Sequence, residues 1–376
     1  MKVALVTSAY PPHLGGVEHH VQGLAQSLAG LGCEVEVLTQ SPRGAPHSVD
    51  QESDGLVVRR WPASGRPQTA PFSVGLFRYL RAARSRYDVV HAHNYHSAAP
   101  AMSYLSGCRP LVVSSYLHAR PASFVARVLH VPYGIVGRRT LRAASSVIAL
   151  SSSEADLVAQ RVPGVRPVVV PSGVDAGRLR AAQPKEKTAP VVLCVGRLTA
   201  YKGAERVLEA VPLLGEARLV VVGGGPEEAT LRRLAQRPGF REKVQLTGVV
   251  DDDELARWYA TADVVISMSS HESFGIVLLE GLAAGTRVVA SDIPAHRDMR
   301  QFDEHGALHL VPLASSPEAI AKVVLDELKT GRATPSSTVP DWETVAQLHV
   351  ELYEAVLARQ SALSRQRANR GIRRGG

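Results

Sequence analysis

Cysteine is scarce, with three in 376 residues. Cys33, Cys108 and Cys194 lie far apart, beside or within apolar segments, and share neither a metal-ligand spacing nor a disulfide pattern. A disulfide-stapled scaffold and a cysteine-ligated metal are therefore excluded, and the thiols read as reduced and partly buried. Reduced thiols predict a cytoplasmic protein. No apolar run approaches the ~18 residues that cross a bilayer. The opening "MKVALVTSAYPPH" has one lysine and an apolar stretch that stops at Pro11-Pro12. It is short for a secretory leader, lacks a small-residue cleavage site, and reads as a first β-strand. Internal repeats are absent, and so is the three-glycine dinucleotide fingerprint.

What is present is an uneven charge. The total is +8, but residues 1–185 carry +10, residues 186–358 carry −8, and the tail from Arg359 carries +6. The reversal near residue 185 marks a domain boundary. The basic front half suits either an anionic partner or a solvated, arginine-rich surface, and composition favours the second. Hydrophobic residues make up 45% and charged residues 21%, as in globular proteins, and the length calls for two cores.

Short apolar strands alternate with amphipathic segments throughout. "KVALVTS", "EVEVLTQ", "LVVRRW", "DVVHAH", "PLVVSSYL", "SVIALS" and "PVVVPSG" come first. After the basic segment "RLRAAQPKEKTAP" follow "VVLCVGRL", "ARLVVVGGG", "KVQLTG", "DVVISMS" and "TRVVASDI". Strands this uniformly apolar are buried on both faces, which predicts two doubly wound parallel α/β domains. The expected division is a domain over 1–180, a linker over 181–190, a second domain over 191–340, a C-terminal helix over 341–366 and a flexible basic tail over 367–376. Ligands of such sheets bind beyond the carboxyl ends of the strands, so the loops after strands hold the candidates.

Gly15 and Gly16, in "SAYPPHLGGVEHHV", open the backbone at a helix start, where a phosphate is favoured. In "VGRLTAYKG", Arg197 leaves a strand end and Lys202 opens the next helix, two cations suited to a diphosphate. "VVVGGGPEE" reads as a tight turn with Pro226 at the helix start, and "DDDEL" as a helix cap rather than a metal cluster. In "HESFGIVLLEG", a helix starting around Phe274 would offer the N–H groups of Phe274, Gly275 and Ile276 to an anion. Glu280 sits among leucines about 9 Å further along the axis. A carboxylate there has two readings: an acceptor for vicinal hydroxyls, or one half of a salt bridge to an arginine across the interface.

Together, "HESFGIVLLE" with seven residues between the glutamates, "GRLTAYKG", "PPHLGGVEHHV" and "VPSGVD" resemble the retaining glycosyltransferases of family 4, over essentially the whole chain and in order. The resemblance implies the GT-B fold, with two Rossmann-like domains facing across a cleft and a C-terminal helix crossing back to the first. It implies transfer of a hexose, or an amino or N-acetyl hexose, from a nucleoside-diphosphate sugar to an acceptor hydroxyl, without metal or other cofactor. A uridine-diphosphate sugar is the favoured donor, with a guanosine-diphosphate sugar the alternative. By position, Glu280 matches the ribose ligand and Glu272 the residue on the donor sugar's hydroxyls. Arg197 and Lys202 match the pair that neutralises the diphosphate. Phe274, Gly275 and Ile276 match backbone donors beside it, Gly16 a front-domain amide, and His118 a histidine near the reacting sugar. Ser172 departs from the asparagine usual in "VPSGVD".

His93, Asn94 and His96, in "VVHAHNYHS", are acceptor candidates, or else caps of the following helix. The expected acceptor is a sugar, a cyclitol, a secondary metabolite or a lipid-linked glycan, with no nucleic acid. Segments 72–88 and 119–144 mix apolar residues with arginines, which suits weak peripheral contact with an anionic membrane or a buried apolar face under solvated arginines. A sugar-nucleotide epimerase of the same fold, a non-catalytic sugar-nucleotide binder and a Rossmann oxidoreductase are the alternatives. The paired glutamates with Arg197 and Lys202 weigh against the first two, and the missing glycine fingerprint weighs against the third.

Overall fold

The computed structural model describes residues 1–12, 15–64, 72–118 and 124–372, with backbone alone over 124–133 and 367–372. The chain forms two compact units, one of residues 1–173 and 342–376, the other of residues 174–341.

The first unit holds β1 (Lys2–Val6), β2 (Glu34–Ser41), β3 (Ser48–Ser53), β4 (Leu56–Pro62), β5 (Val89–His93), β6 (Leu111–Ser114), β7 (Ser146–Ala149) and β8 (Val168–Val169). They form one sheet in the order β3-β4-β2-β1-β5-β6-β7-β8, parallel except for the β3–β4 pair. Val3 to Val6 are wholly buried, as central parallel strands covered on both faces require. The second unit holds β9 (Val191–Val195), β10 (Arg218–Val222), β11 (Val244–Gly248), β12 (Val264–Ser267), β13 (Arg287–Ser291) and β14 (Leu308–Val311), all parallel. Their order, β11-β10-β9-β12-β13-β14, is the doubly wound order in which the winding reverses between the first and fourth strands. In the first unit the corresponding reversal lies between β1 and β5.

Two strands, β3 and β14, have no counterpart in the strand pattern read from sequence. Both lie at sheet edges, where a strand needs no continuous apolar run, and β3 is polar and largely exposed. The expected linker over 181–190 also differs. The chain enters the second unit at Val174, the Ala176–Ala181 helix packs on the Asp252–Thr261 helix, and the supposed linker is fastened down. Lys185 pairs with Glu254 at 2.5 Å and lies 4.6 Å from the Trp258 ring centre, and Lys187 pairs with Asp263 at 2.7 Å.

The Trp342–Ile372 helix belongs to the first unit, against the Gly16–Gly30 helix. A Cβ on Gly23 would lie 2.3 Å from the Trp342 ring, so that glycine is what lets the two helices meet. Beneath them His20, His91, His93 and His349 are completely buried. His91 bonds Tyr353 Oη at 2.7 Å and Ser114 Oγ at 2.8 Å, and His20 bonds Ser172 Oγ at 2.9 Å. Ser172, the departure noted above, is therefore this core's partner for His20. Burial, aided by the neighbouring imidazoles, pulls His20 down to about 3 and His91 and His93 well below the usual value, and burial pulls His349 to about 4.

Among the described residues no helix is long and apolar enough to cross a membrane. Part of the 119–144 segment and the end of the basic tail lie outside the described residues.

The histidine cluster makes acid stability a direct measurement. The unfolded chain takes up protons at these four imidazoles near pH 6.5, whereas the folded chain holds them neutral. Stability is fully present above the unfolded value and falls as pH drops below it, by about 1.4 kcal/mol per pH unit per group. Glu154 and Glu280, raised by burial to about 7, act in the opposite sense between pH 7 and 4.5, leaving a net slope of about two groups. Thermal midpoints recorded from pH 8 to 4.5 are expected to decline below pH 6.5. A midpoint that holds or rises between pH 6.5 and 5 would show that the histidines are not kept neutral.

Candidate active site

In the second unit the turns after β9 and β12 emerge side by side at the reversal of strand order. After β9, Gly196 (φ 142) turns the chain, Arg197 is exposed, and Lys202 closes a short 3-10 turn, Ala200–Lys202. Lys202 was expected to open an α-helix. Instead Gly203 (φ 71) intervenes and the helix begins at Ala204. A Cβ on Gly203 would lie 2.2 Å from the Met268 carbonyl oxygen, so only glycine permits this approach and this φ together. The two turns are further joined by Ser270 N–H donating to the Tyr201 carbonyl at 2.7 Å and by the Tyr201 and His271 rings stacked at 4.5 Å.

This junction brings Lys202 Nζ to 2.5 Å from Glu272 Oε1, and Ser269 Oγ donates to the same oxygen at 2.8 Å. For Lys202, burial favours the neutral amine, but attraction to Glu272 outweighs it and the pKa is raised. For Glu272, burial favours the neutral acid, but Lys202 outweighs it and the pKa is lowered. Both groups are therefore held charged below the surface. The charge of Arg197 reaches Lys202 and opposes it, which places a second cation nearby.

The glycine triplet after β10 serves the same loop. Cβ atoms on Gly223 and Gly225 would lie 2.0 Å and 2.4 Å from the carbonyl oxygens of Gly196 and Leu198. Leu198 N–H donates to Gly224 at 2.9 Å. Pro226 is not at the helix start as expected, since that helix begins at Glu228. The triplet is the floor against which the Arg197 turn packs.

After β12, the helix expected around Phe274 begins two residues later and spans Ile276–Ala283, with Gly275 (φ 116) as its N-cap. Its unpaired first-turn donors are thus the N–H groups of Ile276 and Val277, because Leu278 N–H already donates to Gly275 at 2.9 Å. Phe274 is buried, its ring edge-on to Phe302. Glu280 is partly exposed and accepts from Tyr259 Oη at 2.6 Å. Burial raises its pKa to about 7, against the pull of that bond. Among the described residues it forms no salt bridge with an arginine. Tyr259 is a residue that sequence reasoning missed: it lies 21 positions before Glu280, and no local spacing announces the contact. Nor did it single out His296, whose buried Nδ1 lies 2.8 Å from the Ser291 carbonyl oxygen.

In the first unit, Gly15 caps the Gly16–Gly30 helix at the end of the turn after β1, beside the reversal. The turns after β5 and β6 carry strained backbone, with Asn94 at φ 70 and Tyr116 at φ 48. Such strain in non-glycine residues gathers at functional sites. Asn94 Oδ1 accepts from His96 N–H at 3.1 Å, and the His96 and His118 rings lie 4.9 Å apart. His93 does not join them. It is wholly buried, with Nδ1 3.1 Å from Tyr116 Oη, because it ends β5 pointing into the histidine core. The loop bearing His118 is fixed by Glu154, which accepts from Leu117 N–H at 2.6 Å and Leu150 N–H at 2.8 Å. Among the described residues no group of three histidine, cysteine, aspartate or glutamate side chains is arranged to hold a metal ion.

The junction yields a stability test. Gly203→Ala meets both a forbidden φ and the Met268 carbonyl, and is expected to cost about 3 kcal/mol. Gly215→Ala, at φ 61 with open space around its Cβ, is expected to cost about 1 kcal/mol. Denaturant midpoints of the two variants measure the difference, and equal losses would show that the approach of the two turns is not tight.

Comparison with known proteins agrees with this arrangement. A family model described as Glycosyltransferase Family 4 matches residues 14–178, and one described as Glycosyl transferases group 1 matches residues 175–335. A D-inositol 3-phosphate glycosyltransferase of Xylanimonas cellulosilytica is 31% identical, over 93% of each chain. A glycogen synthase of Mycobacterium tuberculosis is 29% identical, over 94% of this chain and 95% of its own. In fold, the chain matches HepE of Anabaena, solved in complex with UDP and glucose, with a TM-score of 0.72 and 19% identity over 94% of this chain and 100% of that one. With its two parallel-sheet α/β units and sequence likeness along nearly its whole length, the chain is an enzyme that belongs to glycosyltransferase family 4, of the GT-B type.

Proposed function

We propose that the protein transfers a hexose from a nucleoside-diphosphate sugar, with a uridine diphosphate favoured, to an acceptor hydroxyl with retention at the anomeric carbon. The observation that carries the reading is the half-buried Lys202–Glu272 pair at the strand reversal, beside the open N-terminus of the Ile276–Ala283 helix. A diphosphate needs cations and N–H donors, and both are here within one pair of turns. Lys202 and Ser269 both bond Glu272 Oε1, so Oε2 is the atom a hydroxyl of the donor sugar would meet. Glu280, further along the helix, accepts from the ribose. The complex of HepE with UDP and glucose supports a donor of this class.

In the reaction the bond from the anomeric carbon to the phosphate oxygen breaks while the acceptor oxygen bonds to the same carbon from the same face. The acceptor's proton passes to an oxygen of the leaving phosphate. The negative charge growing on that phosphate is what the site must stabilise, and Lys202, Arg197 and the helix end do so. With these charges supplied by the chain, the reaction needs no divalent cation. His118 and His96, with Asn94 shaping their loop, serve the reacting sugar and the acceptor. The inositol phosphate named for the Xylanimonas relative suits a small cyclitol acceptor.

A thermal-shift panel of UDP, GDP, ADP and dTDP sugars, without and then with magnesium, is expected to show stabilisation by one base, equal in both conditions. Stabilisation only with magnesium would overturn the metal-independent reading. Lys202→Ala is expected to lower turnover by about a hundredfold or more, because the charge it meets develops in the transition state. Normal turnover in that variant would remove the diphosphate assignment. Glu280→Ala is expected to weaken donor binding by about tenfold, measured by calorimetry, and unchanged affinity would refute its role.

A further inference from the structure

Tyr259 is completely buried in the Asp252–Thr261 helix, and its hydroxyl donates to Glu280 Oε2 at 2.6 Å. The two helices that carry this pair are clamped at their carboxyl ends by one side chain. Arg332 donates to the Tyr259 carbonyl at 3.2 Å, to the Ala262 carbonyl, and to the Ala284 carbonyl at 2.6 Å. Neither partner can therefore slide relative to the other. A carboxylate on a leucine-lined helix would otherwise rotate freely about its last bond, and hydroxyl recognition requires one orientation.

We propose that Tyr259 is a positioning residue for donor binding, its hydroxyl fixing the Glu280 carboxylate in the orientation that meets the vicinal hydroxyls of the donor ribose. The proposal rests on the reading of Glu280 as the ribose ligand. Tyr259 does not touch the donor and acts through Glu280 alone.

The charges around the pair make pH a sensitive readout. Asp252, on the same helix as Tyr259, is the charged group whose field reaches Glu280, and it favours the neutral acid. The arginines of the adjoining elements are engaged elsewhere or exposed. Arg178 pairs with Asp252 at 3.0 Å, Arg180 bonds the Ser336 carbonyl, Arg287 bonds the Gly331 carbonyl, and Arg300 is exposed. The Tyr259 bond is thus the contact that favours the carboxylate, and removing it moves deprotonation of Glu280 to higher pH.

The test is calorimetric titration of the full chain with UDP and with GDP, and with the 2′,3′-dideoxy counterpart of whichever binds more tightly, from pH 6 to 8.5. Wild type is compared with Tyr259→Phe, Glu280→Gln and the double variant. Wild type is expected to prefer the ribose nucleotide, increasingly as pH rises through about 7. Tyr259→Phe is expected to cut that preference about fivefold at pH 7 and to shift its rise to higher pH. The double variant is expected to be no worse than Glu280→Gln alone, since the tyrosine acts only through the glutamate. If Tyr259→Phe keeps the wild-type preference and pH profile while Glu280→Gln loses the preference, the positioning role is overturned and the ribose reading stands. If wild type shows no ribose preference, or binds neither nucleotide, the reading of Glu280 fails and the proposal with it. Tyr259→Phe removes one oxygen and keeps the packing, so a loss of preference in that variant is a loss of the hydrogen bond.

Discussion

A lysine and a glutamate held charged beneath the surface, 2.5 Å apart, constrain everything around them in the second unit. Two half-buried charges offset each other's lost hydration, and a shift of about an ångström in either turn would weaken both. The surrounding chain is accordingly fixed by backbone contacts rather than by side chains that can swing. Gly203 lies on the Met268 carbonyl, Ser270 bonds Tyr201, and the glycines at 223 and 225 lie on the carbonyls of 196 and 198. Three loops from three strands become one rigid surface, and its rigidity follows from keeping the ion pair intact. A preformed site of this kind has its orientation cost met during folding rather than on binding.

The first unit is organised by the opposite electrostatic condition. Its interior holds four imidazoles kept neutral, three of them bonded to Tyr353, Ser114, Ser172 and Tyr116 and the fourth, His349, to the Val345 carbonyl. Hydroxyl partners satisfy a neutral ring without bringing in charge. The strained Asn94 and Tyr116 backbones sit where this core meets the turns after β5 and β6. The polar interior therefore reaches the loops that carry His96 and His118, and a wholly buried and a half-buried histidine follow one another within four residues from His93 to His96.

Much of this was legible in the sequence, because parallel strands buried on both faces announce themselves as apolar runs, and ligand loops follow strand ends. Of the residues expected to bind donor, Arg197, Lys202, Phe274, Gly275, Ile276 and Glu280 come from one sheet edge and the helix it feeds, while Gly15 and Gly16 belong to the first unit. What could not be read has specific causes. β3 and β14 are edge strands and need no apolar run. The helix start slipped by two residues because Gly275 takes a positive φ, which no pattern of hydrophobicity encodes. His93, an acceptor candidate from its place at a strand end, lies in the core, because alternation along a strand covered on both faces carries no sign of inside and outside. The link between Tyr259 and Glu280 joins separate helices, and so belongs to tertiary packing alone.

The Trp342–Ile372 helix lies on the first unit although it follows the second in the chain. In order of synthesis, the second unit is thus an insertion within the first. It has its own sheet and its own core, and can fold as soon as residue 341 has been made. The first unit cannot close over His20 and His91 until Trp342, His349 and Tyr353 arrive. Until then an unfinished face with buried polar groups stays open to water, and the unit that starts first is completed last.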